Sequence, residues 1–342
     1  MKKKRAVQNK RQPSVKTRKS STIAPRREAR SGRRDFIAAA DLTKAEIEYL
    51  LVVADLLRSN EGSNLLQGRT VVNLFFENST RTRSSFEIAT RKLGGAVLNF
   101  AASTSSVAKG ETLIDTAKTI QAMNPHCLVV RHASAGSPVV LANALNIPVI
   151  NAGDGFHEHP TQALIDAFTI KEKLGSIAGK RVLIIGDIAH SRVARSNIHV
   201  LRKLGAKVAV CGPPTLLPPQ VETLGVDYAY RPEKFLDQTD VVMALRIQLE
   251  RQNKMQIPSV GEYAKNWGLN RERVKRLKPG AIIMHPGPIN RGVELDGEVA
   301  DGPHSVILDQ VANGVAVRMA VLAHVCNPQG LEHWLTSRGF RA

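Results

Sequence analysis

The sequence predicts an α/β protein of two domains, each a parallel β-sheet flanked by helices. Three observations predict it. Short runs rich in Val, Ile and Leu, such as residues 70–76 and 181–186, are apolar at consecutive positions, as strands covered on both faces are. Between such runs lie stretches of 10 to 15 residues with helical apolar spacing, the rhythm of βα units. The chain has 342 residues, 43% of them hydrophobic and only 4% aromatic, which is enough for two ordinary cores.

The globular pattern begins at Asp35. A first helix over 43–57 opens at Thr43, a good N-cap, and sets Ile47, Leu50, Leu51 and Ala54 on one face. Residues 70–76 read as a buried strand, 81–93 as a helix stopped by Gly94 and Gly95, and 96–100 as the next strand, making one βαβ unit. Helices over 111–123 and 138–145, with strands over 128–130 and 148–151, complete a first sheet. A long helix over 161–174 leads into the strand at 181–186, and strands at 207–210, 241–245 and 281–284 continue a second sheet. The boundary falls along the 161–174 helix, giving one domain over 35–165 and another over 166–309. The apolar helix 310–325 packs back on the first. Open parallel sheets bind ligands beyond the carboxyl ends of their strands, so the functional residues are expected in the cleft between the domains.

The formal net charge is +18, but its distribution matters more than its size. Residues 1–34 hold 14 Lys or Arg against the single acid Glu28, which leaves 34 basic and 29 acidic residues for the rest. Without apolar periodicity this tail cannot offset the entropy of ordering and is expected to be disordered. A solvated extension, a start codon assigned too early, an organellar transit peptide and a polyanion-binding arm all fit its composition. Nucleic-acid contact through it would be weak and salt-sensitive, and a chain beginning near Asp35 is expected to keep its function. No apolar run approaches the roughly 18 residues of a membrane span, and the first residues lack a secretory apolar core. A cytoplasmic protein with no membrane association is expected. Cys127, Cys211 and Cys326 are far apart and lack metal-ligand spacing, so they read as buried, reduced thiols.

The most informative segment is Phe75-Phe76-Glu77-Asn78-Ser79-Thr80-Arg81-Thr82-Arg83, where a strand ends and a helix begins. A helix N-terminus presents free N–H groups and a positive dipole end, which suit a phosphate, and Ser79, Thr80, Arg81 and Thr82 add hydroxyls and charge. An isolated start of this kind is often no more than a capped helix with solvated arginines. Here the string continues into Ser-Ser-Phe-Glu, and the whole resembles the carbamoyl phosphate signature of the aspartate and ornithine carbamoyltransferases. The resemblance is collinear from about Asp35 to the last helix. His159-Pro160-Thr161-Gln162-Ala163-Leu164 is similar to the family's second motif, whose His and Gln address the carbamoyl group, and Arg131 is similar to its further phosphate- and carbonyl-binding arginine.

The resemblance implies an aspartate carbamoyltransferase reaction, with Arg81, Thr82, Arg131 and His159 around the carbonyl oxygen where charge grows. It further implies that Gln162 and backbone carbonyls near Gly287 and Pro288 hold the carbamoyl NH2. No metal or cofactor is implied, because the substrate amine is the nucleophile and phosphate leaves. Ser105 and Lys109, on a polar loop ahead of a helix, match residues that enter a neighbouring subunit's site, which implies a homotrimer or a multiple of it. Lys109 also addresses the second substrate, together with Arg192, Arg246 and Gln248, since an arginine fork suits a carboxylate. Gly186 and the residues after it lack the second and third glycines of a dinucleotide turn.

Met284-His285-Pro286-Gly287-Pro288-Ile289-Asn290-Arg291 is similar to the aspartate branch of the family, whereas ornithine enzymes usually carry His-Cys-Leu-Pro here and a Ser-Met-Gly motif, neither of which occurs. A cis bond before Pro288 is expected, as in the family. Val193 stands where a Thr can occur and Gly287 where the best-known bacterial pattern has Leu. The Gly287 variant resembles members that work as bare trimers or bind a dihydroorotase, rather than a regulatory chain. A carbamoyltransferase for ornithine or an acylated amino acid is the first alternative, and a nucleic-acid-binding protein using its basic tail is the second.

Overall fold

The computed structural model describes residues 34–59, 64–101, 110–247, 257 and 259–340. The elements in chain order are α1 Lys44–Ser59, β1 Thr70–Phe75, α2 Thr80–Lys92, β2 Ala96–Ala101, α3 Leu113–Ala122, β3 Cys127–His132, α4 Ser137–Ala144 and β4 Val149–Asp154, then α5 Pro160–Leu174. The second half holds β5 Arg181–Ile185, α6 Arg192–Lys203, β6 Lys207–Cys211, β7 Asp227–Ala229, β8 Val241–Ala244, α7 Val260–Trp267, α8 Arg271–Val274, β9 Ile282–Met284, α9 Gly297–Ala300, α10 Ile307–Cys326 and α11 Pro328–Thr336.

Among the described residues these strands form two sheets, ordered β2-β1-β3-β4 and β7-β6-β5-β8-β9, and every adjacent pair is parallel. The two-sheet α/β architecture is therefore as the sequence predicts. In the first sheet Val72 lies level with Leu98 and Leu128, and in the second Leu183 lies level with Ala209 and Val242. Alternate side chains of each strand enter different cores. Val71 and Phe75 pack with Val129 and Ile150 against α1, α2 and α10, while Val72 and Leu74 join Leu128, Leu141 and Leu145 on the opposite face. Val182 and Ile184 likewise share the first of these cores, and Leu183 and Ile185 face Val242 and Ile283. Burial on both faces is why the strands read as continuous apolar runs. Each fully buried Leu or Ile contributes about 1.5–3 kcal/mol to holding the sheets together.

Local details follow the same chemistry. Thr43 and Glu46 cap α1 reciprocally, the Thr43 hydroxyl accepting from the Glu46 N–H and the Glu46 carboxylate from the Thr43 N–H. Helix α3 starts later than the expected residue 111, at Leu113, because Thr112 is spent as its N-cap and accepts from the Asp115 N–H. Elements α6, β7, α7, α8, α9 and α11 go beyond the sequence expectations. Helix α5 is buried all round from Pro160 to Ile170 because it runs between the layers of both sheets, and α10 lies against α1, α2 and α5. The cysteines are free and buried. No helix among the described residues is long and apolar enough to cross a membrane.

The strand orders position the site. In the first sheet β1 neighbours β2 on one side and β3 on the other, and in the second β5 neighbours β6 and β8. The chain reverses its winding direction at the β1–β3 and β5–β8 boundaries, so crevices open beyond the carboxyl ends of those strands. Ser79 and Arg131 follow or end one pair, and Arg192 and Arg246 follow the other.

Candidate active site

One cleft of about 670 Å³ joins the two crevices. From the first sheet's side it is lined by Ser79, Thr80, Arg81, Thr82, Arg131, His159 and Gln162, and from the second's by Arg192, Arg246, Gly287 and Pro288. The structure thus brings together every described residue singled out from the sequence. Ser105, Lys109 and Gln248 lie outside the described residues, as does the 1–33 tail.

Helix α2 opens at Ser79, whose backbone is extended (φ −158°) and whose side chain makes no capping hydrogen bond. Its hydroxyl and the first N–H groups of the helix are therefore available to an anion in the cleft. Ser191 behaves differently, accepting from the Ala194 N–H as the N-cap of α6. That cap fixes Arg192 as the first residue of the helix and sends it back toward the first sheet.

Arg192 is 5% exposed. Its Nη2 donates to Glu77 Oε2 at 2.9 Å and its Nη1 to the Gly155 carbonyl at 3.3 Å. Arg131 approaches the same Glu77 oxygen, its Nε 3.3 Å away. Glu77 thereby ties an arginine of each sheet to one carboxylate, a role the sequence analysis missed. The only signal was its position two residues before the Ser79 cap, where an acid among phosphate-binding groups looks unfavourable unless cations exceed what the ligand neutralises.

Arg81 crosses the cleft, its Nη1 donating to the Pro286 carbonyl at 2.6 Å, and desolvation lowers its pKa. One of the carbonyls expected to meet a carbamoyl group is thus held by Arg81. The Gly287–Pro288 bond is cis, as expected, and Gly287 has φ +64°. A methyl group built on Gly287 would overlap the Arg81 guanidinium. Gly287→Ala is therefore expected to raise the carbamoyl phosphate KM about tenfold, since left-handed backbone costs a residue with a Cβ about 1–2 kcal/mol and Arg81 must also be displaced. Initial-rate kinetics would check this, and an unchanged KM would show that Arg81 swings aside freely. A relative with leucine at this position must hold the arginine or the loop differently.

His159 is 4% exposed, is the N-cap of α5, and donates its backbone N–H to Ser196 Oγ at 2.8 Å. Its Nδ1 has no hydrogen-bond partner among the described residues. Burial, then Arg131, Arg192 and Arg318, push its pKa well below 6.5, so it faces the cleft as a neutral imidazole. Gln162 donates Nε2 to Asp166 Oδ1 at 2.9 Å. Asp166 is fully buried, and burial raises its pKa to about 6 against the opposing effect of Asn197, Gln310, Gln162 and Arg318.

These shifts set the response of stability to acid. Burial, reinforced by Arg34, lowers His324 to about 4, so between pH 6.5 and 4 the unfolded chain takes up a proton there that the folded chain refuses, and stability falls. His159 acts in the same sense. Asp166 acts oppositely, its cost being relieved as pH falls from about 6 toward 3.8. Thermal melts are expected to show lower stability at pH 5 than at 7.5, with His324→Gln narrowing the gap; an equal gap in that variant would remove His324 from the account.

Known proteins identify the family to which this fold belongs. Residues 34–172 match the model of the aspartate/ornithine carbamoyltransferase carbamoyl-P binding domain, and residues 178–325 that of the Asp/Orn binding domain. The chain belongs to the aspartate/ornithine carbamoyltransferase family. Within this family it is 56% identical over 283 residues to an aspartate carbamoyltransferase catalytic subunit of Myxococcus xanthus, covering 82% of this chain and 95% of that protein. It is 54% identical over 295 residues to the aspartate carbamoyltransferase catalytic subunit of Opitutus terrae, covering 85% and 94%. Among solved family structures, aspartate transcarbamoylase from Trypanosoma cruzi in complex with carbamoyl aspartate and phosphate superposes with a TM-score of 0.78 at 32% identity, over 85% of this chain and 96% of that one. Ornithine carbamoyltransferase from Pyrococcus furiosus superposes almost as well, with a TM-score of 0.76 at 32% identity over 86% and 97%. The family's shared fold therefore does not separate the two amines, and the residues beyond the second sheet must. The α10 helix also shows how sequence extent and packing part company: it falls largely in the second matched segment but lies on helices of the first.

Proposed function

We propose that this carbamoyltransferase moves the carbamoyl group of carbamoyl phosphate to the amine of L-aspartate, giving N-carbamoyl-L-aspartate and phosphate, an early cytoplasmic step of pyrimidine biosynthesis. The observation that carries the reading is the facing of two sets of cations: Arg81 and Arg131 beside the open α2 N-terminus on one wall, Arg192 and Arg246 on the other. One wall suits a phosphate and the other the two carboxylates of aspartate. A cationic amine such as ornithine would meet charge of its own sign from these arginines.

The neutral amine attacks the carbonyl carbon, forming the C–N bond while the carbonyl oxygen takes up negative charge. Arg81, Thr82, Arg131 and His159 stabilise that oxygen. Gln162, with the backbone at Gly287 and Pro288, holds the carbamoyl NH2. Collapse breaks the bond to the phosphate oxygen, and the leaving phosphate accepts the amine's proton. Ser79, Thr80 and Thr82 seat the phosphate, while Arg192, Arg246 and Gln248 orient aspartate, so catalysis rests on positioning and fixed charge. In this reading residues 35–165 with the 310–325 helix handle carbamoyl phosphate and residues 166–309 handle aspartate.

The purified protein is expected to form product from carbamoyl phosphate with L-aspartate and not with L-ornithine or N-acetylornithine. Turnover of ornithine would overturn the aspartate assignment, and turnover of none of the three would overturn the transferase reading itself.

Ser105 and Lys109 of one subunit complete the site of the next in a homotrimer. Mixing inactive Arg81→Ala and Lys109→Ala chains and reassembling them is expected to restore about a quarter of wild-type activity, because a random cyclic assembly brings intact halves together at that frequency. Mixtures that stay inactive would place Lys109 in its own subunit's site. Gly287 fits a bare trimer or one carrying a dihydroorotase better than one under a regulatory chain, so nucleotides are expected to leave the rate unchanged.

A further inference from the structure

We infer that Asp166 is a positioning residue that fixes which end of the Gln162 amide faces the carbamoyl group, and so lets the site choose an NH2 over a group of similar size. The inference rests on the carbamoyltransferase reading above. Asp166 follows Gln162 by one turn of α5, on the same helix face. Its Oδ1 accepts from Gln162 Nε2 at 2.9 Å and from Gln310 Nε2 at 2.8 Å, and its Oδ2 accepts from Asn197 Nδ2 at 2.7 Å. Three primary amides from three helices thus converge on one fully buried carboxylate.

A carboxylate only accepts hydrogen bonds. Each amide must therefore turn its nitrogen inward, and for Gln162, which lines the cleft, this leaves Oε1 as the acceptor for substrate. An acceptor there can bind the N–H of a carbamoyl group and gains nothing from a methyl group. The same carboxylate couples the surrounding elements. Gln310 Oε1 accepts from the His285 N–H at 2.9 Å, at the start of the loop through Pro286 to Pro288, and Asn197 lies in the helix that begins at Arg192. Arg318, also fully buried in effect at 3% exposure, adds positive charge that favours the ionised Asp166.

Asp166→Asn keeps the shape but turns one acceptor into a donor. With the new N–H on the Oδ1 side it would meet the N–H of Gln162, which would relieve the clash by turning Oε1 inward and presenting its NH2 to the cleft. The Oδ2 side offers no better place, because Asn197 Nδ2 points there and is also held by the Val193 carbonyl. The test measures the carbamoyl phosphate KM and the inhibition constant of acetyl phosphate, which places a methyl group where carbamoyl phosphate has NH2, in wild type and variant at saturating aspartate. The expected result is a carbamoyl phosphate KM raised about tenfold with acetyl phosphate inhibition altered less than about twofold. Equal weakening of both would mean that Asp166 merely supports the fold, and an unchanged KM would mean that it does not orient Gln162; either overturns the inference. Should Asp166→Asn fail to fold, Gln310→Met preserves the carboxylate and loosens one of its anchors, and the same selective shift, about threefold, is expected; its absence overturns the inference equally. Wild type measured alongside separates the two readings: if it makes carbamoyl aspartate, a null result in the variants counts against Asp166 alone, and if it does not, the functional reading falls and takes this one with it.

Discussion

Arg81→Ala is expected to lower carbamoyl aspartate formation by about 10²–10³-fold, chiefly through kcat, the usual consequence of removing one preorganised donor from a developing oxyanion. Arg81 lies in the first turn of α2, so its position is set by the helix rather than by a loop, and its guanidinium already reaches across to the Pro286 carbonyl. Its charge lies partly out of water, where each unit of field counts for more. Alanine is a good helix former, so the fold should survive. Parallel thermal melts would verify that, and a loss of less than about fivefold in kcat with an intact fold would move the oxyanion role to Arg131 and His159.

Glu77→Ala is expected to act on stability and activity together. Glu77 is 13% exposed and faces Arg192 at 2.9 Å and Arg131 at 3.3 Å. Removing one partner of a largely buried ion pair costs about 3–5 kcal/mol because the remaining charge stays desolvated; with two arginines left behind and some access to water, about 3 kcal/mol is the expectation. Urea denaturation would measure it. Activity should fall at least tenfold, since Arg192 would lose the carboxylate that holds one arm of its fork in place. Glu77→Gln, which keeps the hydrogen bonds and loses the charge, should fall between alanine and wild type. If alanine instead lowered the aspartate KM, Glu77 would be a competitor for Arg192 rather than its brace.

The comparison of Ser79 with Glu77 shows how much of the site could be read from sequence. Ser79 to Thr82 and His159 to Gln162 sit where a strand-like run gives way to a helical one, so local chemistry and local geometry point the same way. Glu77 cannot be read like that. Its partner Arg192 lies 115 positions later, and only the meeting of the two sheets makes an acid beside a phosphate site favourable. Asp166 is harder still: in the string Leu164-Ile165-Asp166-Ala167 it looks like a solvent-facing acid on an amphipathic helix. It is buried because α5 is covered on every side, and Asn197 and Gln310 come from far along the chain to satisfy it. The sheets themselves were legible because burial on both faces leaves a one-dimensional mark. Strand β7, with Asp227 and Tyr228 exposed, leaves none and escaped the reading.

The two winding reversals, one in each sheet, have a bearing on how such a catalyst could change its clientele. The cleft groups sit at strand ends or on the segments that follow them, while the strands beneath are locked by packing on both faces. The segments after β5 and β8 carry the groups assigned to the acceptor, so they can be exchanged with Ser79 to Thr82 left in place, whereas the segment after β9 meets Arg81 and must be kept. Two catalysts sharing a donor but differing in acceptor would then diverge in one half of the molecule while their backbones stayed nearly superposable, as the near-equal match to the Trypanosoma and Pyrococcus structures illustrates.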